Sequence, residues 1–158
     1  MLDNLVTPES LDVQISVAQQ AFSIMADIQV FPSSSPDAGL SFELADGPTF
    51  AAMIRYLGES TGSLSIECSP SIAFAFTQRV LGIATPMDLD SDVSDAIGEL
   101  INTIGGNLKG LLPAHTRLGT PQVHTQLPGH REMSSSSLSC LSFESEFGSF
   151  RLILLPSQ

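Results

Sequence analysis

Between Asp92 and Gly106, five residues recur at alternating spacings of three and four: Asp92, Asp95, Glu99, Asn102 and Gly106. On a helix of 3.6 residues per turn, that spacing stacks their side chains along one ridge. A carboxylate followed one turn later by a primary amide brings two different chemistries together. Glu99 offers a charge and acceptors to a cationic group, whereas Asn102 offers both donors and an acceptor on a short stem. Such a pair can dock on a cation and position a water molecule, although an amide has no basicity to deprotonate that water. A solvated face of any amphipathic helix has a similar charge pattern. Asn102 is the residue that the bland reading explains poorly, because asparagine is a mediocre helix former placed here mid-helix.

Other chemistries find less support. His115, His124 and His130, even combined with Cys68 and Cys140, match no standard ligand spacing. No metal site is therefore expected, and a histidine-based metal hydrolase is a remote alternative. The two cysteines fall in apolar, strand-like runs, where a buried free thiol is the usual state. No serine has a GxSxG setting, and neither a P-loop nor a GxGxxG motif is present. Gly105-Gly106 lies late in its helix rather than at the start, so it is no phosphate cradle.

The helix that positions the ridge is predicted over Asp90 to Leu112. Val93, Ile97, Leu100, Ile101, Ile104, Leu108 and Leu111 give it an apolar stripe for burial. Asp90 or Ser91 is the expected cap, and acids in the first turn suit the positive end of the helix dipole. Gly105 and Gly106 each cost roughly 1 kcal/mol against alanine in a helix interior. That cost is tolerated where a backbone or a partner must come close.

The remaining elements read as a floor for this helix. Residues 1–9 read as a loose lead-in. A first helix from Ser10, with Ser10 as cap, carries Val13, Val17, Ala18, Ala21, Phe22, Ile24, Met25 and Ile28, and a Pro/Ser loop from Phe31 ends it. Leu40, Phe42 and Leu44 alternate as a strand. Thr49 to Leu57 and Ser63 to Cys68 form a hairpin. Ser69-Pro70 opens a helix that Gly82 closes. Leu118 to Leu127 is a strand interrupted by Pro121, hence an edge or a bulge. A polar loop spans 129–137, and a last hairpin joins Leu138–Glu144 to Ser149–Leu155 around Phe147-Gly148. Three helices and about six hairpin-linked strands imply an α+β fold, a mainly antiparallel sheet packed against long helices.

The chain has 158 residues, 42% of them hydrophobic, which suits one domain over 1–158 with a core of about 10–155. Seventeen acids against six Lys and Arg give a net charge of −11. Such a chain does not track a phosphate backbone, so no nucleic acid or anionic membrane partner is expected. No signal peptide and no membrane-spanning run is visible, so a cytoplasmic location is expected.

The stretch Asp95-Ala-Ile-Gly-Glu99-Leu-Ile-Asn102 resembles the [D/S]-x3-E-x2-N motif of the CheC/CheX/FliY chemotaxis phosphatases. Ile104-Gly-Gly-Asn-Leu-Lys-Gly is similar to the continuation in CheX-like domains. Phe22-Ser-Ile-Met25, Val80-Leu-Gly82 and Leu118-Gly-Thr-Pro121 extend the resemblance from about residue 10 to 155. A single motif copy looks like CheX rather than the two-copy CheC. The family pattern has a proline a little over twenty residues past the asparagine. Pro121 has 18 intervening residues and Pro128 has 25; Pro121 is favoured for its Leu-Gly-Thr-Pro context.

The resemblance implies a phosphatase acting on the phospho-aspartate of a CheY-like response regulator. The partner supplies the Mg²⁺ and a lysine, so no cofactor belongs to this chain. Asn102 would orient the attacking water, as the water-positioning glutamine of GTPases does. Glu99 would pair with the partner's lysine. Asp95 and Gly106 would be further partner contacts, and Asp92 plain surface. A homodimer joined through the sheets is also implied. The competing expectation is a CheX-like adaptor that binds a receiver domain without catalysis.

Overall fold

The structure, a computed structural model, describes residues 2–33, 49–59, 61–126 and 138–156. Three α-helices are present among them: α1 (Pro8–Ala26), α2 (Pro70–Leu81) and α3 (Ser91–Leu108), the last followed by a 3-10 turn, Lys109–Leu111. The strands are β1 (Phe31–Pro32), β2 (Thr49–Leu57), β3 (Gly62–Cys68), β4 (Arg117–Leu118), β5 (Gln122–Gln126), β6 (Ser139–Ser145) and β7 (Gly148–Pro156). They form one sheet in the order β1-β6-β7-β3-β2, with β4 and β5 both on the outer edge of β2. Every pairing is antiparallel. The fold class is α+β, as the sequence implies.

Two hairpins explain the order. β2 and β3 pair from Phe50 opposite Cys68 to Tyr56 opposite Gly62. β6 and β7 pair from Ser139 opposite Leu154 to Ser145 opposite Gly148. β3 then joins β7, setting Ile66 between Ala52 and Leu152. Because side chains alternate along a strand, Phe50, Ala52, Ile54 and Tyr56 share the helix-covered face with Leu64, Ile66, Cys68, Phe150, Leu152 and Leu154. All are buried. Phe22 of α1 stacks on Phe150 at 4.6 Å and meets Phe76 of α2 edge-on at 5.3 Å. Aromatic pairs of this kind add about 0.5–1.5 kcal/mol each beyond their buried area.

On the reverse face, Glu67 and Arg151 stand directly opposite across β3 and β7, with Arg151 Nη2 donating to both carboxylate oxygens at 3.3 Å. Their side chains are only 4% and 5% exposed, respectively. Burial pushes the Glu67 carboxyl up, against the opposing pull of the Arg151 guanidinium.

Several expectations are corrected. The first nine residues are not a loose lead-in: Leu2–Leu5 is a 3-10 turn that buries Leu2 and Leu5 in the core. α1 starts at Pro8, and Thr7 is its cap, its hydroxyl accepting from the Ser10 N–H at 3.2 Å. Ser10 is buried in the first turn and its hydroxyl donates to the Asn4 carbonyl. α1 ends at Ala26, where Asp27 turns left-handed at φ 53°, before the Pro/Ser cluster. Arg79 of α2 donates to the Asp27 carbonyl at 2.8 Å and lies over the Phe147 ring, binding three elements together. Phe31–Pro32 is a short edge strand on β6 rather than a loop. Cys68 is buried as expected, whereas Cys140 is exposed, because it lies on the reverse face near the edge of the sheet. The Leu40–Leu44 strand and the 129–137 loop lie outside the described residues.

Candidate functional site

α3 is the helix that the sequence pattern requires. The Asp90 carboxylate accepts from the Val93 N–H at 3.0 Å and caps it, satisfying one of the orphan donors of the first turn. Val93, Ile97, Leu100, Ile101, Ile104 and Leu108 are all buried, so the apolar stripe faces the sheet and the other helices. Burying each such side chain contributes about 1.5–3 kcal/mol. The helix ends four residues earlier than Leu112, passing into the 3-10 turn that holds Leu111.

The ridge faces outward. Asp92, Asp95, Glu99 and Gly106 are exposed, and Asn102 is half-buried. Glu99 and Asn102 are three residues apart, so their Cβ atoms lie about 5–6 Å from each other. Among the described residues, neither side chain makes a hydrogen bond or an ion pair. The structure thus brings together all five ridge residues. A carboxylate and an amide there are open to a docking molecule, and no cation among the described residues pairs with Glu99.

Glycines set the height of this ridge above the sheet. A Cβ on Gly98 would lie 3.7 Å from Val123 and 3.8 Å from Pro121, both ordinary contacts. On Gly105 it would lie 3.0 Å from Ile54 Cγ2, tighter than the packing accommodates without movement. On Gly106 it would meet only Leu118 at 3.7 Å. Of the two adjacent glycines, Gly105 therefore serves the sheet, while Gly106 is exposed toward solvent. Tyr56 of β2, fully buried, donates its hydroxyl to the Gly105 carbonyl at 2.9 Å. A buried hydroxyl without such a partner costs about 1–3 kcal/mol on mutational scales.

The edge strand breaks beneath the same helix. β4 pairs with Tyr56 and Leu57, β5 with Thr49 to Met53, and Gly119-Thr120-Pro121 bridges them, the Gly119 N–H donating to the Arg55 carbonyl at 2.8 Å. This is the interruption expected at Pro121, since proline cannot donate to the ladder. Pro121 and Val123 lie against Gly98, and Leu118 against Gly105 and Gly106. Pro121 is therefore beside the ridge; Pro128 lies outside the described residues.

Neither of the two described histidines joins the site. His115 and His124 are exposed, and His130 lies outside the described residues. Among the described residues, no group of three His, Cys, Asp or Glu is placed to hold a metal ion. No helix of the described residues is long and apolar enough to cross a membrane.

The family model described as "Chemotaxis phosphatase CheX" matches residues 50–144, more than half of the chain. The chain belongs to the CheX family. Its fold is shared with solved CheX-like structures. The chemotaxis protein CheX of Vibrio vulnificus superposes with a TM-score of 0.73 at 21% identity, covering 92% of this chain and 94% of that one. A putative chemotaxis protein of Desulfovibrio vulgaris Hildenborough gives 0.71 at 23% identity, over 96% and 99%. The CheX of a Borrelia burgdorferi complex containing CheX, CheY, BeF3 and Mg²⁺ gives 0.66 at 14% identity, over 94% and 97%. No curated protein matches the chain in sequence.

Within this CheX-family chain, sequence reasoning missed Tyr56 and Gly98. Gly98 sits inside the motif stretch, and its place between Asp95 and Glu99 is the signal that a neighbour packs there. Tyr56 gave no periodic signal beyond strand alternation; its being the chain's single tyrosine, on the buried face of a strand, asks for a hydroxyl partner.

Proposed function

We propose that this protein hydrolyses the phospho-aspartate of a CheY-like response regulator, inserting the α3 ridge into the partner's active site. The observation that carries the reading is the Glu99–Asn102 pair, one turn apart on the outward ridge and unengaged by other described residues, in a chain of the CheX family. A CheX–CheY complex with BeF3 and Mg²⁺ among the structural relatives supports a receiver-domain partner.

The division of labour follows from the two side chains. Glu99 pairs with a lysine of the partner and fixes the register of docking. Asn102 holds a water in line with the phosphorus, accepting from one water proton or donating to its oxygen. The water oxygen bonds to phosphorus as the bond to the aspartyl oxygen breaks, leaving a carboxylate and inorganic phosphate. The amide takes up no proton, so the proton of the water leaves with the phosphate or to solvent. Mg²⁺ held by the partner stabilises charge on the phosphoryl oxygens. Asp95 and the bare backbone at Gly106 flank the pair as partner contacts. The acidic chain suits a cationic docking face.

The test is incubation with a panel of phosphorylated receiver domains while phosphate release is followed. Acceleration of at least one receiver is expected. Binding without acceleration would favour the adaptor reading. The same reading takes the protein as a cytoplasmic homodimer joined through its sheets; sedimentation at micromolar concentration giving only the mass of one chain would oppose the dimer.

A further inference from the structure

We propose that Tyr56 is a positioning residue of this site, holding Asn102 in place through the carbonyl of Gly105. The proposal rests on the phosphatase reading for its effect on rate. Its geometric part stands on the structure alone.

Asn102 lies four residues after Gly98 and three before Gly105, so both glycines share its side of the helix. Each is seated on the sheet: Gly98 against Pro121 and Val123, Gly105 against Ile54 and Leu118. The turn of α3 that carries Asn102 is thus bracketed by two close approaches. Apolar contacts fix the spacing between helix and sheet but have little directional preference, and they permit sliding and rotation. A hydrogen bond weakens steeply with angle and does not.

Tyr56 Oη to Gly105 O, at 2.9 Å, is the only hydrogen bond between α3 and the sheet among the described residues. The Gly105 carbonyl also accepts from the Lys109 N–H, so the tyrosine attaches to a carbonyl already held by the helix. Gly105 makes this possible, since Ile54 Cγ2 fills the space a side chain would take. Desolvation raises the Tyr56 phenol above its ordinary value, so it remains a donor throughout the working pH range.

An in-line water has to be held to fractions of an ångström, and a displacement of 1 Å costs on the order of 100-fold in rate. Losing the tether while keeping the ring should move Asn102 by less than that.

The test substitutes Tyr56→Phe and reads two quantities. The first is the side-chain amide signal of Asn102 in a ¹⁵N correlation spectrum, assigned by its loss in Asn102→Ala, with Asn4 as the reference. The second is phospho-receiver hydrolysis per folded molecule, well below the melting temperature. The expected result is a shifted or broadened Asn102 signal with Asn4 unchanged. With it, the saturated rate should fall on the order of tenfold while the half-saturating partner concentration stays within about twofold. An unmoved Asn102 signal overturns the proposal, whatever the rate does. So does a moved signal with an unchanged rate in a protein whose wild type is active. A wild type that accelerates no receiver defeats the phosphatase reading, and the amide signal still decides whether Tyr56 positions Asn102.

Discussion

Gly98 lies against Pro121: a side-chain carbon added to the glycine would stand 3.8 Å from the proline's Cβ, in ordinary van der Waals contact. The space for one methyl group is therefore already present between α3 and the broken edge strand. Gly98→Ala should stabilise the protein by about 0.5–1 kcal/mol through helix propensity and reduced unfolded-state freedom. Gly105→Ala, with Ile54 Cγ2 at 3.0 Å, should not gain stability and should lose it unless Ile54 moves. Thermal unfolding of the two variants side by side checks the contrast. A melting temperature raised equally in both would mean that Gly105 is not held close to the sheet.

The contrast also shows where sequence reading stops. The stripe from Val93 to Leu108 and the outward ridge were legible because helix period alone assigns them to opposite sides. The two hairpins and the break at Pro121 were legible from strand alternation and turn chemistry. What each glycine touches was not, because that depends on strands distant in the chain, such as β2 beneath Gly105. Nor was burial of Leu2 and Leu5, which have too few neighbours to show a period. The helical stripe read from the sequence includes Ile24, which is instead 82% exposed, because it stands two residues from buried Phe22 and Ala26, about 200° around the helix from each. The cap is Thr7 rather than Ser10: both hydroxyls satisfy the capping preference, and only the proline at Pro8 favours the earlier one.

Tyr56 gives a pH prediction that requires no mutation. Burial raises its phenol above the unfolded value, so its contribution to stability is fully present below pH ~10 and is lost as pH rises beyond. The chain has one tyrosine and no tryptophan, so the tyrosinate absorbance band reports this residue alone. The band should appear only together with alkaline unfolding, followed by far-ultraviolet circular dichroism. A phenolate signal in the folded protein near pH 10 would show that the hydroxyl is not buried against Gly105.

Gly148 predicts a turn that accepts no side chain. Its φ is +139°, and an added Cβ would lie 2.4 Å from Ser69 Oγ and 2.5 Å from Ser71 Oγ. Strained backbone and collision act together, at the point where the β6–β7 turn meets the start of α2. Gly148→Ala should cost about 2 kcal/mol or more, seen as a lowered denaturation midpoint with little change in the slope. A variant as stable as the wild type would place the turn away from α2.

The division of roles between Glu99 and Asn102 is the central claim, and one paired measurement tests it most directly. Wild type, Asn102→Ala and Glu99→Ala are compared for binding to a receiver domain and for release of phosphate from its phosphorylated form. Alanine suits the helix, so neither change should unfold α3. Asn102→Ala should abolish accelerated hydrolysis and leave affinity nearly intact, because the lost interaction belongs to the transition state. Glu99→Ala should weaken binding by roughly 1–3 kcal/mol if its ion pair is desolvated on docking. Added salt should weaken the wild-type complex more than the Glu99→Ala complex. Full phosphate release by Asn102→Ala from a receiver that the wild type dephosphorylates would contradict the account.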